Sequence, residues 1–339
     1  MAPAPNRRRV RAPGRAGVAW AAGAVAAVAG VAGVWGAFAA DGDPPIRALH
    51  WIAASADPVH AVATQPTECL GTRADPAEAL KVEVGRAAFR TPVLLGGQAA
   101  RASLTCETCH RDGRTNPDFH FPGISGAPGT ADVTQSIFSS HRGDGIDNPK
   151  PIPDLSGPKA KLKVDQAPDA RALEGFIHGL ITEEFDGPEP SPATLQGLAA
   201  YVRALQPAAC PQAPRQPVDA RLLMSDARRA LAAARAEIAR GDRSTAVLML
   251  AAARARLGLI DERLAGPPFD ALRNRLRAAS AQLAAAQDTL RQGQNPPDRD
   301  FTRWLADSRP LEAKLVAAEP GSLFNPKRLR AAAKRSLPG

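Results

Sequence analysis

The stretch Cys106-Glu107-Thr108-Cys109-His110 constrains this chain more than any other, because two thiols in Cys-x-x-Cys spacing followed at once by an imidazole suit few environments. Three are open: a porphyrin fastened through both thiols, a zinc ion, and a redox disulfide. Zinc wants four ligands, and Cys106, Cys109 and His110 cannot easily converge on one ion, since adjacent residues on one turn point apart and no second Cys-x-x-Cys completes the set. A thioredoxin-like pair wants a preceding strand in a βαβ unit, which these Gly- and Pro-rich surroundings do not offer. Haem suits each residue. On a short helix Cys106 and Cys109 face one side and can add to two vinyl groups, and His110 can then present its Nε2 to iron.

The start of the chain bears on the same question. MAPAPNRRRVRAPGR carries basic and no acidic groups, and Gly17 to Ala40 follow as an uncharged, apolar run. This is expected to be an export signal. Its length suits a membrane span while Ala37-Phe38-Ala39 offers a cleavage site, so a cleaved peptide and a retained inner-membrane anchor are both open. With the arginines held in the cytoplasm, everything after Asp41 is expected outside, in a periplasm-type compartment. Haem is joined to Cys-x-x-Cys-His outside the cytoplasmic membrane, so address and motif point independently to one covalent haem c. The formal charge of +9 includes the basic leader, and no aromatic-interleaved basic patch or nucleic-acid motif follows it, so nucleic acid is not an expected partner.

Hydrophobic residues make up 44% and charged ones 23%, enough for a sizeable core; aromatics are only 4% and Pro numbers 32, which points to a helical protein with many loop breaks. The expected fold class is all-α: a haem domain over 67–211, then an α-helical hairpin or three-helix bundle over 212–339 ending in a basic tail. Residues 41–66 read as a linker, with one short apolar turn expected around Ile46 to Ala54. Asp75-Pro76 starts a helix that runs to about Arg90, a second surrounds the Cys-x-x-Cys, a third runs from about Pro168 to Thr182, and a fourth opens at Ser191-Pro192 and ends near Leu205. A long Gly/Pro loop lies between the second and third. Beyond Val218, Gly241-Asp242 and Pro267-Pro268 break a run of Ala-, Arg- and Leu-rich helices, and Leu276, Leu283 and Leu290 mark one seam. Residues 218–293 are expected to fold without haem.

The segment VEVGRAAFRTPVLLGGQAARASLTCETCH resembles the haem segments of the di-haem cytochrome c peroxidase family, and the order of elements resembles a class I cytochrome c domain, over roughly Thr67 to Pro211. The resemblance implies that a first helix bearing Gly85 and Phe89 crosses a last helix bearing Leu198, Tyr201 and Leu205. It further implies that Ile152-Pro153-Asp154-Leu155 stands for the family's Pro-x-Leu, whose carbonyl takes the proximal imidazole's other N–H; Pro153 or Pro151 would then orient His110. Two departures matter. There is one Cys-x-x-Cys-His where a di-haem peroxidase has two, and ITEEFDGPEPSP lacks the distal Met that class I domains usually place before the last helix.

Met224 and Met249 read as core residues of C-terminal helices. His178 is therefore the candidate distal ligand by chain position, ahead of His120 and His141 in the long loop, and an open distal site with Glu183 or Glu184 beside it is the alternative. Arg142 is a candidate haem-propionate partner or simply part of a turn. In an oxidising compartment the left-over Cys69 and Cys210 are expected to pair. Three functions follow in order: single-electron transfer to a redox partner protein, a peroxidase-like enzyme, and a haem-based sensor or scaffold acting through the helical region.

Overall fold

Several helix starts in this chain are set by side-chain oxygens that accept the otherwise unpaired first amides. Asp57 caps α1 (Pro58–Val62), and Asp75 caps α2 (Pro76–Phe89) by accepting from Ala77 N at 3.0 Å; in both a proline takes the first position, where its missing N–H costs nothing. Short helices α3 (Gly97–Arg101) and α4 (Cys106–Cys109) follow, then α5 (Ala172–Gly179), which runs on as a π-helical turn over Leu180–Glu184. Ser191 caps α6 (Pro192–Ala204), Asp219 caps α7 (Ala220–Ala239) and Asp242 caps α8 (Arg243–Asp261). The remaining helices are α9 (Asp270–Arg291), α10 (Asp298–Ala318) and α11 (Pro326–Ser336). The structure is a computed structural model; it describes residues 46–156, 163–167, 169–210 and 212–336, all within the unit Gly42–Gly339. The expected leader, 1–40, lies outside the described residues, and none of the described helices is long and apolar enough to cross a membrane.

Strands are two residues long: β1 (Thr64–Gln65), β2 (His110–Arg111), β3 (Arg114–Thr115), β4 (Thr130–Ala131), β5 (Lys150–Pro151) and β6 (Gln216–Pro217), paired antiparallel as β1–β6, β2–β3 and β4–β5. The chain is thus mostly helical, in keeping with the all-α expectation. The short ladders pin the long loop after α4.

α2 and α6 cross at glycine. A Cβ on Gly85 would lie 1.9 Å from the Gly197 carbonyl oxygen, so the two backbones meet with no room for a side chain. One turn along, the Phe89 and Tyr201 rings pack with centroids 5.2 Å apart. Gly85, Phe89 and Tyr201 were anticipated; Gly197, the other half of the contact, was not. The Cys69–Cys210 disulfide forms, with Cα atoms 5.5 Å apart, and the segments beside it are tied by Gly71 N to Ala204 O and Gln206 N to Cys69 O, each 2.8 Å.

The boundary expected near residue 211 does not separate two cores. Val82, Leu198 and Tyr201 belong to one buried cluster with Leu223, Met224, Leu250 and Leu257 of α7 and α8. Arg86 of α2 pairs with Asp226 of α7 at 2.8 Å, and Arg229 of α7 holds Glu83 of α2 through two nitrogens. Met224 and Met249 are fully buried there, and Leu276, Leu283 and Leu290 of α9 extend the same core.

Residues 46–65, expected as a tether, form a 3-10 turn (Arg47–Trp51), α1 and β1. Ile46, Leu49 and Val62 bury themselves against Leu323, Leu329 and Ala333, so the segment expected as a basic tail is instead the amphipathic helix α11. Arg330 pairs with Asp57 at 2.9 Å across this contact. Each segment is too short to bury its apolar edge alone, and the two cover one another.

Candidate functional site

α4 is a single turn fixed at its start by a reciprocal cap. Thr108 N donates to Thr105 Oγ1 at 3.2 Å, and Thr105 N donates to Thr108 Oγ1 at 3.0 Å. The turn places the half-buried thiols of Cys106 and Cys109 against one apolar cluster built from Leu95, Leu104, Phe119, Ile124, Phe138 and Ile152. Burial pushes both thiols up to about 12, so each is a neutral S–H at pH 7.

His110 ends α4 and opens β2, and the chain reverses at Asp112-Gly113, both with positive φ (48° and 79°). A Cβ on Gly113 would lie 2.6 Å from Leu205 Cδ1, so the turn is also pressed against the end of α6. Segment 151–155 is tied to this hairpin three times: Leu155 N to Gly113 O at 2.9 Å, Thr115 Oγ1 to Ile152 O at 2.9 Å, and Arg114 Nε to Asp154 Oδ2 at 3.0 Å. Those ties bring the Pro153 carbonyl oxygen to 3.0 Å from His110 Nδ1. A carbonyl only accepts, so Nδ1 carries the proton and Nε2 keeps its lone pair. Burial lowers the imidazole to about 4, which leaves it neutral at pH 7. Of the two prolines anticipated, Pro153 is the partner.

A row of aromatic rings lines the same cluster. Trp51 stacks on Phe121 at 4.3 Å, Phe121 meets Phe138 edge-on at 5.1 Å, and Phe138 meets Phe185 at 5.5 Å. Sequence reasoning gave these residues no role because Trp51 sits in the segment read as tether, Phe121 and Phe138 in the long loop, and Phe185 in the stretch after the third helix. A signal existed: aromatics are only 4% of the chain, yet five of them, Phe119 included, stand from 51 to 185 outside its main helices.

Behind the motif lies a buried ionic network. Arg90 contacts Glu68 at 2.9 Å and Asp112 at 2.6 Å, and Arg86 contacts Glu68 at 2.7 Å; Tyr201 Oη donates to Glu68 at 2.8 Å. Burial alone would raise Glu68, but Arg90 and Arg86 outweigh it and hold the carboxyl at about 2. Glu107, within the motif, accepts from Asp112 N at 3.0 Å through one oxygen, while its Oε2 is buried without a hydrogen-bond partner. Burial pushes Glu107 up to about 8, with Arg90 opposing the rise.

His178 is half-exposed on α5 and turns its Nε2 to the Glu189 carboxylate at 2.9 Å, which engages the nitrogen a distal ligand needs. His60 pairs with Asp118 at 3.0 Å, and His141 lies 3.9 Å from Asp186. Arg142 forks onto Glu183, so each of these candidates has the other for a partner. Glu184 is raised by burial. No protein-family model, curated protein or solved structure matches this chain.

Proposed function

We propose that this chain is an exported mono-haem c-type cytochrome that passes single electrons to a redox partner protein, with a cytochrome c-like haem domain related to the di-haem cytochrome c peroxidases and residues 17–40 as export signal or inner-membrane anchor. The observation that carries the reading is the His110 Nδ1 to Pro153 O hydrogen bond of 3.0 Å. It is the outer-shell contact that a ligating imidazole needs, since it fixes the tautomer, aims the ring and leaves Nε2 free.

The residues fit haem c in kind. Cys106 and Cys109 are free thiols, not a disulfide, in a compact turn where both can add to vinyl groups, and the apolar cluster with its aromatic row suits a porphyrin face. Haem c bound there would supply a one-electron Fe(III)/Fe(II) couple. The chain's own part is to orient His110 through Pro153, to exclude water with Leu104, Phe119 and Ile152, and to keep the imidazole unprotonated.

The test is the full-length chain expressed with haem-maturation machinery, examined by haem staining after denaturing electrophoresis and by visible spectra in both oxidation states. Covalent stain is expected in the parent and lost in the Cys106→Ala, Cys109→Ala double variant. His110→Ala should keep the stain and change the spectrum. An unchanged stain in the double variant, or none in the parent, would overturn the reading. A ferric spectrum that shifts with cyanide would favour an open, peroxidase-like distal site over pure electron transfer.

A further inference from the structure

A second candidate site lies on the side of α4 that carries Glu107 and Thr108. Between it and α8 is a cavity of about 520 Å³, within the roughly 300–1,000 Å³ range of small-molecule sites. None of Cys106, Cys109 and His110 lines it. Part of the wall is apolar, with Trp51, Ile52, Val62 and Leu259.

The rest is cationic in an unusual way. Arg111, Arg254, Arg256 and Arg263 all line the cavity, and none of the four has a carboxylate ion-pair partner among the described residues. Their hydrogen bonds go to uncharged oxygens instead. Arg256 donates to Arg90 O at 2.6 Å, Arg263 to Val62 O at 2.8 Å and Leu259 O at 3.0 Å, Arg254 to Gln287 Oε1 at 2.6 Å and Ser280 Oγ at 3.3 Å, and Arg111 to Ala61 O. A guanidinium has five N–H donors, so each is positioned by these bonds while other donors are left over.

Three acids share the lining: Glu107, Asp226 and Glu262. Asp226 is committed to Arg86 at 2.8 Å and Glu262 to Arg47 at 3.3 Å, and Glu107 sits nearer to Arg90, at 3.6 Å. The four arginines therefore carry surplus charge in a partly dry space, an arrangement that is costly unless an anion completes it. Burial lowers Arg256 and Arg263 to about 10, which still leaves both charged at pH 7.

We propose that this cavity binds a small organic anion, one with an apolar body and carboxylate or phosphate groups taken by the guanidinium forks of Arg254 and Arg256 on α8, of Arg263 just beyond it, and of Arg111. Free anions without an apolar body leave the Trp51 and Leu259 wall uncovered and bind more weakly. The site adjoins the motif and shares Glu107 and Thr108 with it but none of Cys106, Cys109 and His110, so the proposal does not rest on haem.

Isothermal titration of the full-length protein near 0.15 M ionic strength, with trimesate and with phenyl phosphate as probes, tests it; inorganic phosphate and benzyl alcohol are the comparisons. Saturable binding of at least one organic probe is expected, and which one binds tighter assigns carboxylate or phosphate. Arg256→Gln with Arg263→Gln should weaken it at least about 10-fold, or about 1.4 kcal/mol, while Arg299→Gln with Arg303→Gln, on the exposed face of α10, should not. Should the first pair fail to fold, Arg254→Gln alone is expected to weaken the probe several-fold. The proposal fails if neither organic probe saturates, if the α10 pair matters as much as the cavity pair, or if a folded cavity variant binds as the parent does.

Discussion

Gly85 and Gly197 face one another so closely that a methyl group on Gly85 would sit 1.9 Å from the Gly197 carbonyl oxygen. The contact sets how near α2 comes to α6, and therefore where Phe89 and Tyr201 meet and where Arg86 of α2 and Arg90 at its end enter the core. Gly85→Ala must push two backbones apart and is expected to cost roughly 3 kcal/mol or more by overpacking. Gly175→Ala, on α5 with open space around its α-carbon, should instead be neutral or stabilise by about 0.5–1 kcal/mol. Chemical denaturation of both variants checks the contrast.

Arg86 and Asp226 are both buried and join α2 to α7. Asp226→Ala leaves a buried guanidinium with one acid fewer, and a loss of about 3–5 kcal/mol is expected. Because the pair lies inside a continuous core, one cooperative unfolding transition should shift, with helix content and tryptophan fluorescence moving together. Two separated transitions would instead support the independent folding of 218–293 expected from sequence.

Acid should weaken the protein through Glu68. Its carboxyl is held at about 2 in the fold against a usual 4.5, so its contribution is fully present above 4.5 and is lost as pH falls towards 2. Glu68→Gln should lower stability at neutral pH and flatten the decline between those values, as followed by melting temperature against pH.

Glu107 has the opposite sign. Raised to about 8 from 4.5, it favours the fold when protonated, a contribution present below 4.5 and lost as pH rises through 8. Glu107→Gln keeps an acceptor for Asp112 N and stays neutral, so its melting temperature should exceed the parent's most at about pH 9 and least at about pH 5. A constant difference across that interval would contradict the buried-acid account.

The Cys69–Cys210 bridge closes 141 residues of sequence. Replacing both cysteines by alanine is expected to cost about 2–5 kcal/mol. Denaturant midpoints of the parent with and without reductant, set beside the variant, measure it.

What the sequence determined by itself was local chemistry. Asp75-Pro76, Ser191-Pro192 and Asp242 start helices because a capping oxygen and a proline act within a few residues of themselves. The turn at Cys106 to Cys109 needs only Thr105 and Thr108. The pairing of Cys69 with Cys210 followed by elimination, and the His110 contact, expected to Pro153 or Pro151, forms to Pro153 because a short segment carries both its proline and its tie points. The tertiary structure alone decided what distant segments do to one another. Gly197 looked like any helix glycine until α2 lay across it, and only the fold sets Glu189 against His178. Ile46 and Leu49 read as a short apolar turn in a tether, and Leu329 and Ala333 as tail, because neither edge is long enough to show what it packs against and only their mutual contact hides both from water. The arginines of the cavity carried no signal in the sequence: only the packing of α8 and of Arg263 just beyond it against segments from 46 to 111 gathers Arg254, Arg256 and Arg263 into one wall.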